Sequence, residues 1–74
     1  MSIIPILSAR AVVRKLIRAG FHYTKARGSH HYYFNPITDR LTSVPIHGGN
    51  TVGRKLLTQI VDQTGLTMEE FLEL

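Results

Sequence analysis

Four histidines are the side chains of this chain best suited to move protons near neutral pH, and they are His22, His30, His31 and His47. Free histidine has a pKa of about 6.5, so both protonation states are populated there. The chain has no cysteine, which excludes a thiolate nucleophile, a disulfide framework and a thiolate zinc site. The residue types therefore indicate acid–base chemistry by imidazole.

His30 differs from the other three because it follows Gly28-Ser29, a pair with the composition of a tight turn. Glycine lets a backbone approach a phosphate closely, and the amides of Gly28 and Ser29 are candidate donors to it. Residue types alone favour the alternative, in which His30 is an ordinary strand histidine that makes one hydrogen bond. On that basis His30 is a candidate catalytic residue and one histidine among four.

If the polyanion that this chain acts on is RNA, such a histidine can act on the 2′-hydroxyl beside each phosphate, which is an internal nucleophile. The enzyme must take the proton of this hydroxyl, stabilise the charged phosphorane and give a proton to the leaving 5′-oxygen. General acid–base help of this kind is worth roughly 10²–10⁴-fold in rate. The route needs no metal and predicts a 2′,3′-cyclic phosphate or a 3′-phosphate at the new end.

The other histidines have weaker arguments for a catalytic role. Strand side chains alternate, so we expect His31 to face away from His30 and to be a poor partner for it. His47 follows Pro45 at the end of a predicted strand, and strand pairing would bring it beside His30 as a possible catalytic helper. A capping or loop role for His47 is the equal alternative. His22 is expected at the surface.

A zinc site built from His30, His31 and His47 is disfavoured by the same alternation. Adjacent histidines on one strand point two ways, which is awkward for a single tetrahedral metal. No carboxylate or cysteine is placed in the sequence to complete the ligand set. We therefore predict no metal and no other cofactor.

Charge is distributed unevenly along the 74 residues. Residues 1–55 hold all nine Lys and Arg and a single acid, Asp39, for a formal charge of +8, whereas residues 56–74 hold four acids and no base. A basic body indicates a polyanionic partner such as a nucleic acid, and on charge alone a solvated basic face is the equal alternative. The predicted RNA contacts are Lys25, Arg27, Gly28, Ser29, Arg40, Arg54 and Lys55.

Three of these bases, Lys25, Arg27 and Arg40, are expected nearest to the proposed site. Lys25 and Arg27 are two positions apart, so they should share one face of a strand. A wider basic surface, for which RNA contact and simple solvation are equal alternatives, includes a ridge on the first helix. That ridge consists of Arg10, Arg14 and Arg18.

The periodicity of apolar residues predicts the elements that position these groups. A helix over residues 9–19 has its apolar side chains at helical spacing, with Ser8 as N-cap and Gly20 just past its end. A second helix starts after Thr51 as its cap, includes Val52 and ends at Gly65. Thr67 to Glu70 has capping-box spacing and opens a last short helix.

Between the two main helices the pattern changes to aromatic and β-branched residues broken by turn signals. We predict strands over residues 21–27, 30–35 and 40–46, joined by short links that favour an antiparallel meander. Tyr32, Tyr33 and Phe34 are adjacent, so they cannot all face one way. The core is the expected place for most of them, and base stacking is the alternative.

The predicted fold class is α+β, with the order α-β-β-β-α, a three-stranded antiparallel sheet, both main helices on one sheet face and a short C-terminal helix. The opposite sheet face is left for solvent or a ligand. The length predicts one domain, residues 1–74. The apolar N-terminal stretch, interrupted by Pro5, is too short for a signal or a membrane span, so we expect a soluble, cytoplasmic protein with no membrane partner.

Six short blocks follow one another along the chain, and they are Ala19-Gly20-Phe21, Arg27-Gly28-Ser29-His30-His31, Val44-Pro45-Ile46-His47, Lys55-Leu56-Leu57, Gly65-Leu66-Thr67 and Glu70-Phe71-Leu72. This ordered set resembles the HicA family, which comprises mRNA interferase toxins of bacterial and archaeal toxin–antitoxin pairs. The resemblance runs from about Ser8 to the C-terminus.

The resemblance implies a fold like that of a double-stranded-RNA-binding domain and an endoribonuclease that cleaves mRNA, with His30 as the catalytic residue. It also implies a HicB-type antitoxin as partner, which covers the active site. Family members commonly have Lys or Arg in the loop before the second helix. Here that loop is Gly48-Gly49-Asn50-Thr51 and the first base is Arg54, which departs from the pattern.

Two other functions remain open from the sequence. One is an RNA-binding module of the same fold without turnover, and the other is a purely protein-binding role. A histidine directly after Gly28-Ser29 favours the nuclease. The sequence does not report a cleavage preference, the oligomeric state or the identity of the antitoxin.

Overall fold

The computed structural model describes residues 3–74 and has the predicted α+β architecture. In chain order the elements are β1 (Leu7–Ser8), α1 (Ala9–Arg18), β2 (His22–Arg27), β3 (His30–Asn35), β4 (Arg40–Pro45), β5 (Thr51–Val52), α2 (Arg54–Thr64) and α3 (Met68–Leu72). β2, β3 and β4 form a three-stranded antiparallel sheet in that spatial order, and β1 pairs with β5 in a separate two-stranded sheet.

α1 begins and ends within one residue of its predicted bounds. The Ser8 side chain accepts a hydrogen bond from the Ala11 amide at 3.1 Å, which satisfies one of the free donors at the helix start. Gly20 follows the helix with φ of 98°, a left-handed conformation that favours glycine. The helix buries one apolar stripe, and Arg10, Arg14 and Arg18 stay exposed on its surface.

The core lies between the sheet and the helices on one side only. Tyr33, Thr42 and Val44 are buried on the sheet face that α1 and α2 cover. The opposite face is left uncovered, as the sequence predicted. The buried apolar residues are Ala9, Val12, Leu16, Phe21, Tyr33, Val44, Val52, Leu57, Ile60, Val61 and Phe71.

Asn35 joins the hairpin loop after β3 to the end of α1. Its side-chain oxygen accepts from the Ile37 amide at 2.9 Å, and its amide nitrogen donates to the Ala19 carbonyl at 3.3 Å. Its backbone carbonyl accepts from the Asp39 amide at 2.8 Å. Asn35 is buried, so these bonds also satisfy polar atoms that would be costly to leave unpaired.

The start of the second helix was predicted wrongly. Thr51 and Val52 form β5, whose partners are Ser8 and Leu7. α2 begins at Arg54, and its N-cap Gly53 has no side chain that could accept a hydrogen bond from the first helical turn. Val52 is fully buried, so its place in the helical spacing reflects a shared core rather than a shared helix. A strand of two residues is too short for a periodicity argument to detect.

The end of α2 and the start of α3 lie where the sequence predicts them. α2 ends at Thr64, and its C-cap Gly65 has φ of 81°. α3 begins with the predicted capping box between Thr67 and Glu70. The longest helix among residues 3–74 has 11 residues. No helix in that range is long and apolar enough to cross a membrane.

Candidate active site

The turn Gly28-Ser29 sets the position of His30. Arg27 and His30 are paired residues of β2 and β3, so only two residues connect the strands. Gly28 has φ of 56°, whereas Ser29 is not among the residues with positive φ. A positive φ at the first central position alone is the pattern of a type II′ turn, which suits the twist of a hairpin and places glycine there. His30 is therefore the first residue of its strand.

His30 and His31 lie on opposite faces of the sheet, as the alternation of strand side chains predicts. His31 pairs with the buried Val44 on the helix side, and its ring centroid lies 6.0 Å from that of Tyr23. His30 pairs with Pro45 on the uncovered face and is exposed. The structure thus separates the two adjacent histidines and leaves His30 accessible to a ligand.

Lys25 and Arg27 share the uncovered face with His30. Arg27 is directly opposite His30, and Lys25 is opposite Tyr32, with its ammonium nitrogen 5.6 Å from the centroid of the Tyr32 ring. A bulge precedes Lys25, where the register shifts and the Thr24 hydroxyl donates to the Tyr32 carbonyl at 3.2 Å. The expected shared face of the two bases is therefore confirmed.

His47 is at the same end of the sheet as His30. The Ile46 amide donates to the Ser29 carbonyl at 2.7 Å, which extends the contact between the two chain segments one step beyond the paired His30 and Pro45. The chain then leaves the strand, and His47 is exposed in the following loop. The backbone neighbourhood predicted for His47 is present, and its part in catalysis stays a prediction.

Asn50 holds this end of the sheet together, and the sequence reading did not single it out. Its side-chain oxygen accepts from the His47 amide at 2.9 Å and its side-chain nitrogen donates to the Pro45 carbonyl at 2.9 Å. Its backbone carbonyl accepts from the Ala9 amide at 3.0 Å. The signal available in the sequence was an Asn after two glycines, a residue type that commonly bonds to nearby backbone in turns.

Arg40 was predicted near His30, and this is wrong. Arg40 pairs with Asn35 at the far end of the β3–β4 ladder, five residues from the His30–Pro45 pair. At about 3.3 Å per residue this separates them by roughly 16 Å. The Arg40 side chain lies instead against Gly65 at the end of α2, where a cation suits the helix dipole.

Arg54 and Lys55 start α2 at the His30 end of the sheet. α2 runs back along β4, because Gln63 contacts Thr42 near the start of that strand. Arg54 uses its Nε to donate to the Ile4 carbonyl at 2.8 Å, so part of its hydrogen-bonding capacity holds the N-terminal segment. Lys55 is exposed.

Of the three adjacent aromatic residues of β3, Tyr33 packs in the core, whereas Tyr32 and Phe34 face away from it. Tyr33 is buried, and burial raises its pKa above 10, with a further contribution from Tyr23 nearby. Tyr32 and Phe34 are half-buried on the uncovered face. The prediction that most of these three adjacent aromatics belong to the core was therefore wrong, and only Tyr33 does.

Two grooves lie close to this region. The larger, about 310 Å³, runs between the first turns of α1 and the loop after β4, and its walls include Ala9, Ile46 and Asn50. The smaller, about 110 Å³, includes Tyr32 and Ser43 in its walls. His30 is not part of either groove, so a substrate would meet it on the open sheet face.

The sequence raised the question of a metal site built from His30, His31 and His47. Within residues 3–74, no three side chains of His, Cys, Asp or Glu come together as a metal-binding group. The opposite directions of His30 and His31 are the structural reason that this pair does not start one.

Comparison with known proteins adds one match. The family model for the HicA toxin of bacterial toxin–antitoxin systems matches residues 9–66, which include α1, the whole three-stranded sheet and α2. A comparison with curated proteins gave no match. The matched range contains His30, Arg27 and the turn between them.

Proposed function

Because this chain belongs to the HicA toxin family of bacterial toxin–antitoxin systems, we propose that it is an endoribonuclease that cleaves mRNA with His30 as general acid or base. One observation carries the proposal. The His30 side chain is exposed on the uncovered face of the sheet, directly opposite Arg27 and beside a tight glycine turn. In RNA cleavage an imidazole can transfer protons and a guanidinium can stabilise the charge on the phosphate. Both groups are accessible on this face.

The reaction follows from the chemistry of RNA. The 2′-oxygen attacks the adjacent phosphorus, its proton passes to a base, and the bond from phosphorus to the 5′-oxygen breaks as that oxygen receives a proton. His30 supplies one of these proton transfers. Arg27 and Lys25 lie on the same face, where their positive charge stabilises the phosphorane more than the ground state. The products are a 2′,3′-cyclic phosphate and a 5′-hydroxyl, and no metal takes part.

His47 and the bases Arg54 and Lys55 have secondary roles in this proposal. His47 would perform the second proton transfer, since its backbone lies at the same end of the sheet as His30. Arg54 and Lys55 would contact phosphates further along the RNA, together with the amides of Gly28 and Ser29. Such contacts make RNA affinity fall steeply with salt.

The partner of the toxin in the cell is an antitoxin, as its family implies. We propose a HicB-type protein that covers the uncovered sheet face and so blocks His30. Lys25 and Arg27 make this face basic, which favours acidic side chains on the partner. The mRNA substrate places the active toxin in the cytoplasm.

Growth after induced expression tests the proposal when wild type is compared with His30→Ala and His31→Ala. His31 is the matched control, because it neighbours His30 and faces the other side of the sheet. We expect wild type and His31→Ala to stop growth and His30→Ala to permit it, provided that circular dichroism shows all three folded. Equal toxicity of His30→Ala would remove this residue from the mechanism.

Cleavage of a long RNA by the purified protein, with and without EDTA, tests the chemistry. We expect cleavage that EDTA does not reduce, and new ends that carry a 2′,3′-cyclic phosphate or a 3′-phosphate. 3′-hydroxyl ends would reject this mechanism. RNA binding without any cleavage would favour the alternative function, an RNA-binding module of the same fold.

A further inference from the structure

We propose that the smaller groove on the sheet, which we call the Tyr32 groove, binds one nucleobase of single-stranded RNA. Its walls are formed by Tyr32, Leu41, Thr42, Ser43 and Gln63. The inference rests on the proposed function, in which RNA is the substrate. It adds the place where a base next to the cleaved bond is held.

The Tyr32 groove has the size of a single flat ring. Its volume is about 110 Å³, whereas a water molecule occupies about 30 Å³ in the liquid. A few waters or one planar heterocycle fill such a space, and a packed protein segment does not fit. The groove follows the edge strand β4 from the uncovered face, which carries Tyr32, Leu41 and Ser43, round to the helix side, which carries Thr42 and Gln63. Because this edge of the sheet is open, a base can enter from solvent.

The walls offer the groups that recognise a base. The Tyr32 ring is half-buried and the Leu41 side chain is 52% exposed, which gives the groove two apolar surfaces. Aromatic side chains on strands stack bases of single-stranded RNA in this way. Ser43 pairs with Tyr32 across the strands and adds a hydroxyl at the same rung.

Gln63 adds an oriented amide at the rim of the groove. Its side-chain oxygen accepts from the Thr42 hydroxyl at 2.6 Å, so its nitrogen is directed away from Thr42. A carboxamide is suited to the edge of a base because it offers donor and acceptor in one plane. The hydrogen bond to Thr42 fixes that plane before a ligand arrives.

The Tyr32 groove lies about one nucleotide away from His30, the proposed site of cleavage, along the same strand. Tyr32 is two residues from His30 on the same face of β3, a step of roughly 7 Å. Lys25 stands over the Tyr32 ring from the β2 side, and Arg27 stands opposite His30. If the nucleobase lies against Tyr32, the sugar and phosphate of that nucleotide therefore lie on the side of the Lys25 and Arg27 side chains and the His30 imidazole.

Single-stranded RNA is the occupant that these features favour. In a duplex each base is stacked between neighbours and paired, so it cannot enter a groove of this kind without leaving the helix. An acidic protein partner would use Lys25 and Arg27 but has no need of a groove of this small volume with an amide at its rim. The positive charge beside the groove complements the backbone of the RNA.

The test measures affinity by fluorescence anisotropy for a short single-stranded RNA and for the same sequence in a perfect duplex. All proteins carry His30→Ala, which keeps the RNA intact. We expect Tyr32→Leu to weaken single-strand binding on the order of ten-fold or more, because base–aromatic stacking is lost. Tyr32→Phe, which retains a ring, should bind like its parent.

Tyr23→Leu is the matched control for loss of an aromatic side chain. Tyr23 is exposed, but it pairs with Tyr33 on the opposite sheet face, so its loss should not change single-strand affinity. Thermal unfolding checks that each variant is folded. Should Tyr32→Leu not fold, Gln63→Ala replaces it, because Gln63 is exposed and packs in no core position.

Several outcomes would overturn the proposal that the Tyr32 groove binds a nucleobase. Unchanged single-strand affinity in Tyr32→Leu, while wild type still cleaves RNA, rejects the groove and leaves the proposed function standing. Tighter binding of the duplex than of the single strand also rejects it. Loss of antitoxin binding with normal RNA binding would assign this face to a protein partner instead.

A second measurement separates the groove from the nuclease activity. Titration of the full chain with adenosine and uridine 3′-monophosphates should shift the NMR signals of the Ser43 amide and the Gln63 side-chain amide. Those shifts should be absent in Tyr32→Leu. Saturable shifts in a protein that does not cleave RNA would reject the nuclease and support the groove, and the absence of shifts would reject the groove.

Discussion

Arg27 and His30 face each other across the turn Gly28-Ser29 as the pair of the β2–β3 hairpin nearest the turn. Directly opposite residues of an antiparallel pair have Cβ atoms about 4.5–5.5 Å apart and project from the same face. Backbone pairing and one left-handed glycine therefore hold the Cβ atoms of an arginine and a histidine side by side on one face, without help from any longer loop. This arrangement is a property of the hairpin itself.

Arg27→Gln should weaken RNA binding and make it less dependent on salt. Loss of one phosphate contact lowers the slope of log affinity against log salt by about 1. Arg40→Gln is the control, because it removes the same charge at the other end of the sheet. Binding titrations at several salt concentrations measure both slopes, and equal slopes for the two variants would show that position on the sheet does not matter.

His47→Ala should lower kcat/KM for RNA cleavage by about 10²-fold, because one proton transfer loses its general acid or base. The rate–pH profile should also lose one of its two limbs. The backbone N–H that donates to Asn50 is retained in this variant, so the loop keeps its structure. A complete bell-shaped profile in His47→Ala, as in the surface control His22→Ala, would exclude His47 from proton transfer.

Gly65→Ala should destabilise the fold by about 1–2 kcal/mol, the cost of a left-handed conformation for a residue with a Cβ. The added Cβ would also come within 2.6 Å of the Arg40 Nε, but this exposed side chain can move aside. Gly65→Asn introduces the same Cβ and tolerates positive φ better, so it should cost less. Urea unfolding measures both, and equal losses would point to the contact with Arg40 instead.

Glu70 should make stability depend on pH below its ordinary pKa of 4.5. Backbone and side-chain hydrogen bonds with Thr67 lower the pKa of Glu70 in the folded chain. The contribution of this carboxylate is therefore fully present above the unfolded pKa and is lost as pH falls through the lower folded value. Urea unfolding between about pH 3 and 6 should show a steeper loss for wild type than for Glu70→Gln. Parallel curves would mean that the capping box does not distinguish the two protonation states.

The sequence was sufficient to predict most of the helices and strands and some of the side chains that share a sheet face with His30. Helical spacing located α1, and strand alternation placed His31 away from His30 and grouped Lys25 with Arg27. These inferences succeed because they depend on local geometry, which repeats along a helix or a strand. Arg40 was misplaced because its proximity depends on direction along the ladder, and the strand it starts runs toward His30 rather than away from it.

Long-range contacts account for what the sequence did not reveal. Thr51 and Val52 become a strand only because Leu7 and Ser8 are beside them, and two residues carry no period of their own. Asn50 connects the end of β4 to the start of α1 because its backbone carbonyl accepts from the Ala9 amide, a contact that sequence distance conceals. The Tyr32 groove likewise needs Gln63 from α2 next to β4, a juxtaposition that no window of sequence contains.

β2 is an edge strand and is exposed along its whole length. A free edge of this kind invites the strand of another molecule, and such pairing leads to aggregation. The bulge before Lys25 and the two charges of Lys25 and Arg27 are features that discourage it. The residues proposed to meet phosphate are thus also those expected to limit edge-to-edge pairing between molecules. A variant that removes both charges should aggregate at a lower protein concentration than wild type.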